Sequence, residues 1–513
     1  MGQTMLQDKD KMMTGEFEEH LIQSVKQDPL YTYEGRLEEI RRTEYAHLGS
    51  ISDISSVLTV DTMYLDHAGA TPYPISIVRE HCLDLSSKLL SNPHSSSTSS
   101  MSTDSRIASI RLRVLKMFNA DPNYFDIVFC ANATAGVKLV AEGFAGSPNG
   151  FRYRYLRDVH TSLVGAGNLA KERQYMEEHQ VNKWVTGNSK EDSKDDKRPG
   201  LFAYPAQTNF NGRRFPLRWI SNLRENCPGW YSLLDAASYL TTTPLDFGEP
   251  SEAPDFTVMS FYKIFGYPDL GAVIVRKEVG QMLLQRQYFG GGSRAGLTVE
   301  GINFPRKILH EALEDGTLPF HTIMALGSAL DVYHRLFRSQ AHVAKHAATI
   351  TRLAYALLWS LQYPNGQPLC QLYSLHNQGP IISFNLLSPN GTYMGYVAFE
   401  KAASARNFAI RTGGLCNPGG MQKYNDLSTE ELLQMFATGK KKECGDGIDL
   451  IDGKVFGVIR LSFGACSTIE ELVSFVNLLR EMYIERRGRK EMLADFEMCE
   501  LTELLNRSRS IRS

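Results

Sequence analysis

Net charge is almost missing from this 513-residue chain: 55 Lys and Arg stand against 57 Asp and Glu, a balance of −2. That balance argues against a nucleic-acid binder or a polybasic membrane-surface protein, while leaving room for a local anion pocket. Long apolar runs are missing too. None reaches the roughly 18 residues of a membrane span. The opening MGQTMLQDKDKMM carries early charge and no apolar core, so no secretory signal is expected. Gly2 invites N-myristoylation, but Leu6 stands where that pattern requires Ser or Thr. The eight cysteines include no CxxC pair and no zinc-ligand spacing, which sets aside a disulfide framework or a structural metal and favours a reduced, cytoplasmic setting. No internal repeat is found.

What is there fits a large soluble α/β protein, with 42% hydrophobic and 22% charged residues. Its length predicts more than one domain. Residues 1–60 read as a helical lead-in, with Leu37, Ile40 and Tyr45 on one face. Residues 61–325 form the predicted large domain, opening on the short apolar strand Met63-Tyr64-Leu65. The serine-rich stretch 95–105 reads as a polar loop feeding a helix with Ile107, Ile110, Leu112 and Leu115 at helical spacing. From about 120 to 280, apolar runs at 127–129, 201–204, 232–234, 256–259 and 272–275 alternate with helical stretches, the pattern of a mostly parallel sheet with covering helices. The charged stretch 187–200 reads as a solvated loop. Residues 326–485 form a smaller α+β domain, with strands near 381–384 and 458–461, and 486–513 is a charged tail.

Four segments carry candidate chemistry. A strand ending at Cys130 runs into Ala131-Asn132-Ala133-Thr134-Ala135-Gly136 and a helix. Small residues there let the backbone approach a phosphate, with Thr134 as hydroxyl donor, although a plain strand–helix turn reads the same way. Asp235 ends a second strand, either facing a ligand or capping a helix. Lys263, in Ser260-Phe261-Tyr262-Lys263-Ile264-Phe265-Gly266, would lose stabilisation of its charge on burial and become nucleophilic; a snorkelling surface lysine is the alternative. His160 either stacks on a ring or is structural. Phosphate-binding helix start, histidine, carboxylate and lysine, in this order along the chain, are the groups that pyridoxal 5'-phosphate (PLP) demands.

The segments YLDHAGATPYP (64–74), NPHS (92–95), LFAYPAQTNFNG (201–212), SFYKIFGYPDLGAVIV (260–275), YFGGG (288–292), LEDGTLPF (313–320), RTGGLCNPGG (411–420) and CGDGIDLIDGK…IRLSFG (444–464) resemble the eukaryotic molybdenum cofactor sulfurases. The resemblance runs from about residue 30 to 485. It implies a PLP-dependent transferase fold (fold type I) of the class V aminotransferase, cysteine-desulfurase-like kind. By this resemblance Lys263 is the PLP lysine, Asp235 the partner of the pyridine nitrogen, and His160 the stacking histidine. Thr134 and Ser260 are phosphate donors, and Asn209 lies near the ring hydroxyl. Gly316-Thr317 resembles the loop that serves a neighbouring subunit's phosphate site, which implies a homodimer. Arg460 matches the grip on the substrate carboxylate, with Arg411 the next candidate, and Cys416 matches the nucleophile. Gly414 and Met421 replace two cysteines of the family pattern, so Cys416 is the candidate there. The usual β-rich C-terminal cofactor-binding domain has no counterpart up to Ser513.

The implied reaction is desulfuration of L-cysteine to alanine with a persulfide on Cys416, the sulfur passing to molybdenum cofactor or a protein carrying it. Alternatives are a standalone PLP desulfurase or lyase with another acceptor, and a non-catalytic interaction partner. The glycine-rich 413–420 stretch predicts a mobile loop that presents an unburied Cys416.

Overall fold

The computed structural model describes residues 15–48, 62–188, 196–373, 378–440 and 447–485. Residues 189–195 of the charged 187–200 stretch, the tail from 486, Cys444 and Cys499 lie outside them. A short strand β1 (Met63–Tyr64) is followed by seven strands that share one sheet: β2 (Phe125–Cys130), β3 (Arg152–Leu156), β4 (Glu172–Met176), β5 (Gly200–Pro205), β6 (Trp230–Asp235), β7 (Phe256–Ser260) and β8 (Gly271–Arg276). Their spatial order is β2-β8-β7-β6-β5-β3-β4. Strands β3 to β7 run parallel, whereas β8 is antiparallel to both β7 and β2. Two reversals cancel, so β2 points the same way as β7. The carboxyl ends of β2, β3, β5, β6 and β7 therefore open on one edge, where ligands of such sheets collect.

Strands β5 and β7 are buried along their whole length because helices cover both faces, which is why each reads as a continuous apolar run. The helix Ala133–Ala145 packs unusually close: a Cβ at Gly136 would sit 2.9 Å from Val273 Cγ2 and 3.0 Å from Val258 Cγ1. That approach sets the start of this helix against the ends of β2 and β7.

A second, antiparallel sheet is built from Cys370–Leu372, Ile381–Leu387, Val458–Ser462 and Arg411–Gly413, with Tyr393–Met394 beside the second of these. Strand β1 lies on this side of the molecule. It pairs parallel with Phe408–Ala409, and Ser462 N donates to Leu65 O at 2.8 Å. Residues 325 and 326 lie inside one helix, Phe320–Phe337, kept continuous by buried Ile323, Met324, Leu326, Ala329 and Val332. The serine-rich stretch is mostly helix as well, running Thr98–Met117 with Ser97 as N-cap. Ser100 and Thr103 are buried in it, Thr103 bonding Ser99 O at 3.0 Å, while Leu112 faces solvent. Among the described residues no helix is long and apolar enough to cross a membrane.

The N-terminal helices are clamped onto the C-terminal part of the chain. Tyr31 and Tyr33 stack on His346, with ring centroids 5.2 and 4.7 Å away, and Arg41 pairs with Glu471 at 2.9 Å. His67 lies fully enclosed nearby, its Nε2 3.0 Å from Ser467 Oγ. Burial holds His346 down to about 4 and His67 down to about 3, the latter helped by Arg41 and His346. Both values lie below that of an unfolded histidine, so folding favours the neutral rings; their contribution is complete above about pH 6.5 and is lost as pH falls below it. Each ring removes about 1.4 kcal/mol of stability per pH unit in that window. The thermal midpoint should therefore fall steadily from pH 6.5 to 5 and fall less steeply in His346→Phe; identical slopes would contradict this assignment.

Candidate active site

Strand β7 ends at Ser260 and turns directly into the five-residue helix Phe261–Phe265, which carries Lys263. Phe261, Ile264 and Phe265 anchor this turn in the core, so Lys263 is aimed into the cleft at the sheet edge. The residue is part-buried and keeps some accessible surface, as a cleft lining does. Burial lowers its proton affinity, and Arg460 adds to this; Asp235, Asp66 and Cys416 act in the other direction. Among the described residues the amine has no hydrogen-bond or ion-pair partner.

The other strand ends surround it. Asp235 closes β6 and accepts from Ala237 N at 2.9 Å, which fixes one carboxylate oxygen. His160 follows β3 as N-cap of Thr161–Ala166, and its Nδ1 accepts from Ser162 N at 3.1 Å. With Nδ1 so engaged, the neutral ring carries its proton on Nε2. Burial lowers the proton affinity of His160, opposed by Asp235 and supported by Lys263.

Ser260 Oγ accepts from Ala133 N at 2.9 Å and so bolts the end of β7 to the start of the helix Ala133–Ala145. Asn132 caps the same helix through Ala135 N at 3.0 Å. Thr134 is exposed there, and among the described residues neither its N–H nor its hydroxyl is engaged. Gly271 allows the crowding, since a Cβ would lie 2.5 Å from the Asn132 backbone. The result is a helix N-terminus with a free N–H and hydroxyl, suited to an anion.

Arg460 enters from the second sheet, almost wholly buried. Nη2 contacts Asp66 Oδ1 at 2.6 Å, Nη1 donates to Asn209 O at 2.9 Å, and Nε has no partner. Burial weighs against its charge, Asp66 supports it, and Arg411 opposes it from the directly opposite position on the neighbouring strand. Arg411 itself is exposed. Asp66 escaped the sequence reading although it stands in the YLDHAGAT segment; its carboxylate fits because Gly69 has no Cβ, which would lie 2.4 Å from Oδ2.

Cys416 is exposed, as expected, but its segment is not a loose loop. Asn209 Nδ2 donates to Leu415 O at 2.6 Å and Thr161 N to Cys416 O at 2.8 Å. Asn417 is buried and caps the helix Pro418–Tyr424. The glycines misled because Gly419 and Gly420 serve close packing: Cβ atoms there would lie 1.9 Å from Arg157 O and 2.9 Å from Phe210 Cγ.

Lys263, Asp235, His160, Ser260, Thr134, Asn209, Arg460 and Cys416 thus share one edge of the molecule. Thr317 does not join them. It is exposed on the loop after Glu314, where Arg111 and Glu314 form a buried pair at 2.8 Å and Gly316 N donates to Gly291 O at 2.7 Å. No three His, Cys, Asp or Glu among the described residues gather as a metal site.

The Aminotransferase class-V family model matches residues 63–475. The molybdenum cofactor sulfurase of Chaetomium globosum is 44% identical over 463 residues, which is 88% of this chain and 58% of that protein. The one from Aspergillus niger is 45% identical over 443 residues, covering 84% of this chain and 53% of that protein. The chain thus spans a little over half the length of these relatives. An apo cysteine desulfurase from Thermococcus onnurineus superposes with a TM-score of 0.64 at 16% identity, over 87% of this chain and 97% of that one. The cysteine desulfurase CsdA from Escherichia coli gives 0.62 at 16% identity, over 87% and 99%. The architecture is therefore the α/β fold of the cysteine desulfurases.

Native-state alkylation should modify Cys416 and Cys82, the exposed thiols among the described residues, and spare buried Cys227, Cys370 and Cys466 until the protein unfolds. Burial pushes the Cys466 thiol up to about 12, which reinforces its inertness. Labelling of Cys466 at the rate of Cys416 would overturn the described burial.

Proposed function

The chain belongs to the class-V aminotransferase family, and we propose that it is a PLP-dependent cysteine desulfurase whose sulfur is destined for molybdenum cofactor. The observation that carries this reading is the unpartnered Lys263 amine at the end of β7, on the sheet edge and in the field of Asp235, Arg460, Asp66 and Cys416. The donor set fits PLP. Lys263 would hold its aldehyde, Asp235 its pyridine nitrogen, and Thr134 with Ser260 and the helix start its phosphate. His160 would lie over the ring and Asn209 near its hydroxyl. When bound, PLP supplies an electron sink for the carbon that carries the substrate amino group.

The chain's own residues do the rest. Burial weighs against the charge of Lys263, which favours its use as nucleophile and then as base for the Cα proton, with His160 Nε2 as the alternative proton carrier. Asp235 holds the charge balance of the ring. Arg460 grips the substrate carboxylate with the face of its guanidinium left by Asp66 and Asn209, and Arg411 guards the approach. Cys416, as thiolate, attacks the substrate sulfur. An S–S bond forms as the C–S bond breaks, and the electron pair returns to the carbon fragment that leaves as alanine.

The identity to molybdenum cofactor sulfurases supports that cofactor, or a protein carrying it, as sulfur acceptor. Gly316-Thr317, standing apart from its own cleft, supports a homodimer in which it serves the partner. A cytoplasmic protein is consistent with the free thiols.

Reconstituted protein should show the visible absorbance of bound PLP and release alanine from L-cysteine, whereas Lys263→Ala should lose both and keep its fold. Absorbance retained in Lys263→Ala would move the cofactor lysine elsewhere. Arg460→Ala should keep the absorbance but raise KM for L-cysteine, because losing a charge-assisted fork costs about 2–4 kcal/mol; an unchanged KM would remove Arg460 from substrate binding.

A further inference from the structure

Leu415 and Cys416 both adopt left-handed backbone, with φ of 56° and 52°. Two successive non-glycine residues in that region are held there by their surroundings, at a cost on the order of 1 kcal/mol each. The hold comes from a buried polar cluster of Asp158, Thr208 and Asn417, which stand outside the proposed cofactor set and reach it through Asn209. Asp158 is 4% exposed and lies two residues before His160. Its Oδ1 accepts from Thr208 Oγ1 at 2.9 Å and from Asn417 Nδ2 at 2.9 Å. The same Asn417 amide reaches Thr208 Oγ1 at 3.0 Å and Asn209 Oδ1 at 3.1 Å, while Asn417 Oδ1 accepts from Gly420 N at 2.8 Å. Asn209 in turn holds Leu415 O and receives Arg460. One buried carboxyl therefore joins the His160 segment, the Asn209 loop and the Cys416 turn.

Asp158 Oδ2 is buried and bonds nothing. A carboxylate needed as a charge would have that oxygen paired. Here only the acceptor at Oδ1 is used, and burial raises the carboxyl above the usual range against the pull of Thr208, Lys423, Asn417 and Arg213. The shape and the acceptor matter, not the charge.

We propose that Asp158 is a positioning residue for Cys416: through Asn417 and Thr208 it fixes the turn that carries the thiol relative to His160, Asn209 and Arg460. The proposal rests on the reading of Cys416 as sulfur acceptor only for its catalytic consequence.

The test uses full-length, PLP-loaded protein carrying Asp158→Ala, Asp158→Asn or Thr208→Val. Hydrogen–deuterium exchange of the 412–423 peptide should quicken about tenfold in Asp158→Ala and stay within about threefold of wild type in Asp158→Asn, which keeps the acceptor. Single-turnover sulfur transfer to Cys416 should fall about tenfold in Asp158→Ala, with PLP absorbance and KM for L-cysteine retained, and recover in Asp158→Asn. Should Asp158→Ala fail to fold, Thr208→Val takes its place, with exchange and transfer both expected to shift at least about threefold. Unchanged exchange overturns the proposal, as does unchanged transfer with faster exchange, or Asp158→Asn matching Asp158→Ala. If wild type carries no sulfur on Cys416, the desulfurase reading fails, and the exchange result alone decides the role of Asp158.

Discussion

Everything at the site depends on strand direction. Because β8 reverses twice between β2 and β7, five carboxyl ends open on one edge, and each delivers a different group: the Thr134 helix start, His160, Asn209, Asp235 and Lys263. No single bond between these segments would be strong enough to gather them. A sheet buried on both faces does so at low cost, since each enclosed Val, Leu, Ile or Phe contributes about 1.5–3 kcal/mol to keeping the strands in register. Glycine at 136 and 271 then brings backbone close enough for the Ser260–Ala133 bond to lock helix start to strand end.

The second sheet supplies what the first cannot. Arg460 and Cys416 arrive from distant parts of the chain and meet the first sheet through Asn209, which accepts from Arg460 at its carbonyl and donates to Leu415 from its side chain. Arg460, the proposed substrate grip, and the turn of Cys416, the proposed nucleophile, are thereby fastened to the same residue. Asp66 belongs to this junction too: strand β1 pairs with the C-terminal part of the chain, so the carboxylate three residues after Met63 lands beside the arginine.

Much of this was legible in sequence for a physical reason. Strands covered on both faces must be apolar throughout, so 127–129, 201–204, 232–234, 256–259 and 272–275 announced themselves, and the apolar residues flanking Lys263 marked a turn anchored in the core. What stayed hidden depends on partners far away in the chain. Strand β1 is two residues long, and its neighbour lies at 408–409, beyond any local pattern. The serines of 97–103 looked like a loop, yet they cap and line a helix through side-chain bonds that composition does not reveal. The glycines of 413–420 looked like freedom, but Asn417, buried against Asp158 and Thr208, makes them a fixed turn. Leu112 had the right spacing for the core and faces water, because the helix bearing it needs only part of its apolar periodicity.

The central claim is that the thiol presented by this turn takes sulfur from L-cysteine. Mass spectrometry of the tryptic peptide 412–423, which contains Cys416 as its one cysteine, tests it directly after brief incubation of the PLP-loaded protein with L-cysteine. The peptide should gain one sulfur atom, and Cys416→Ser should bind PLP normally yet carry no added sulfur anywhere. Added sulfur on a different cysteine, with Cys416→Ser still fully active, would contradict the account.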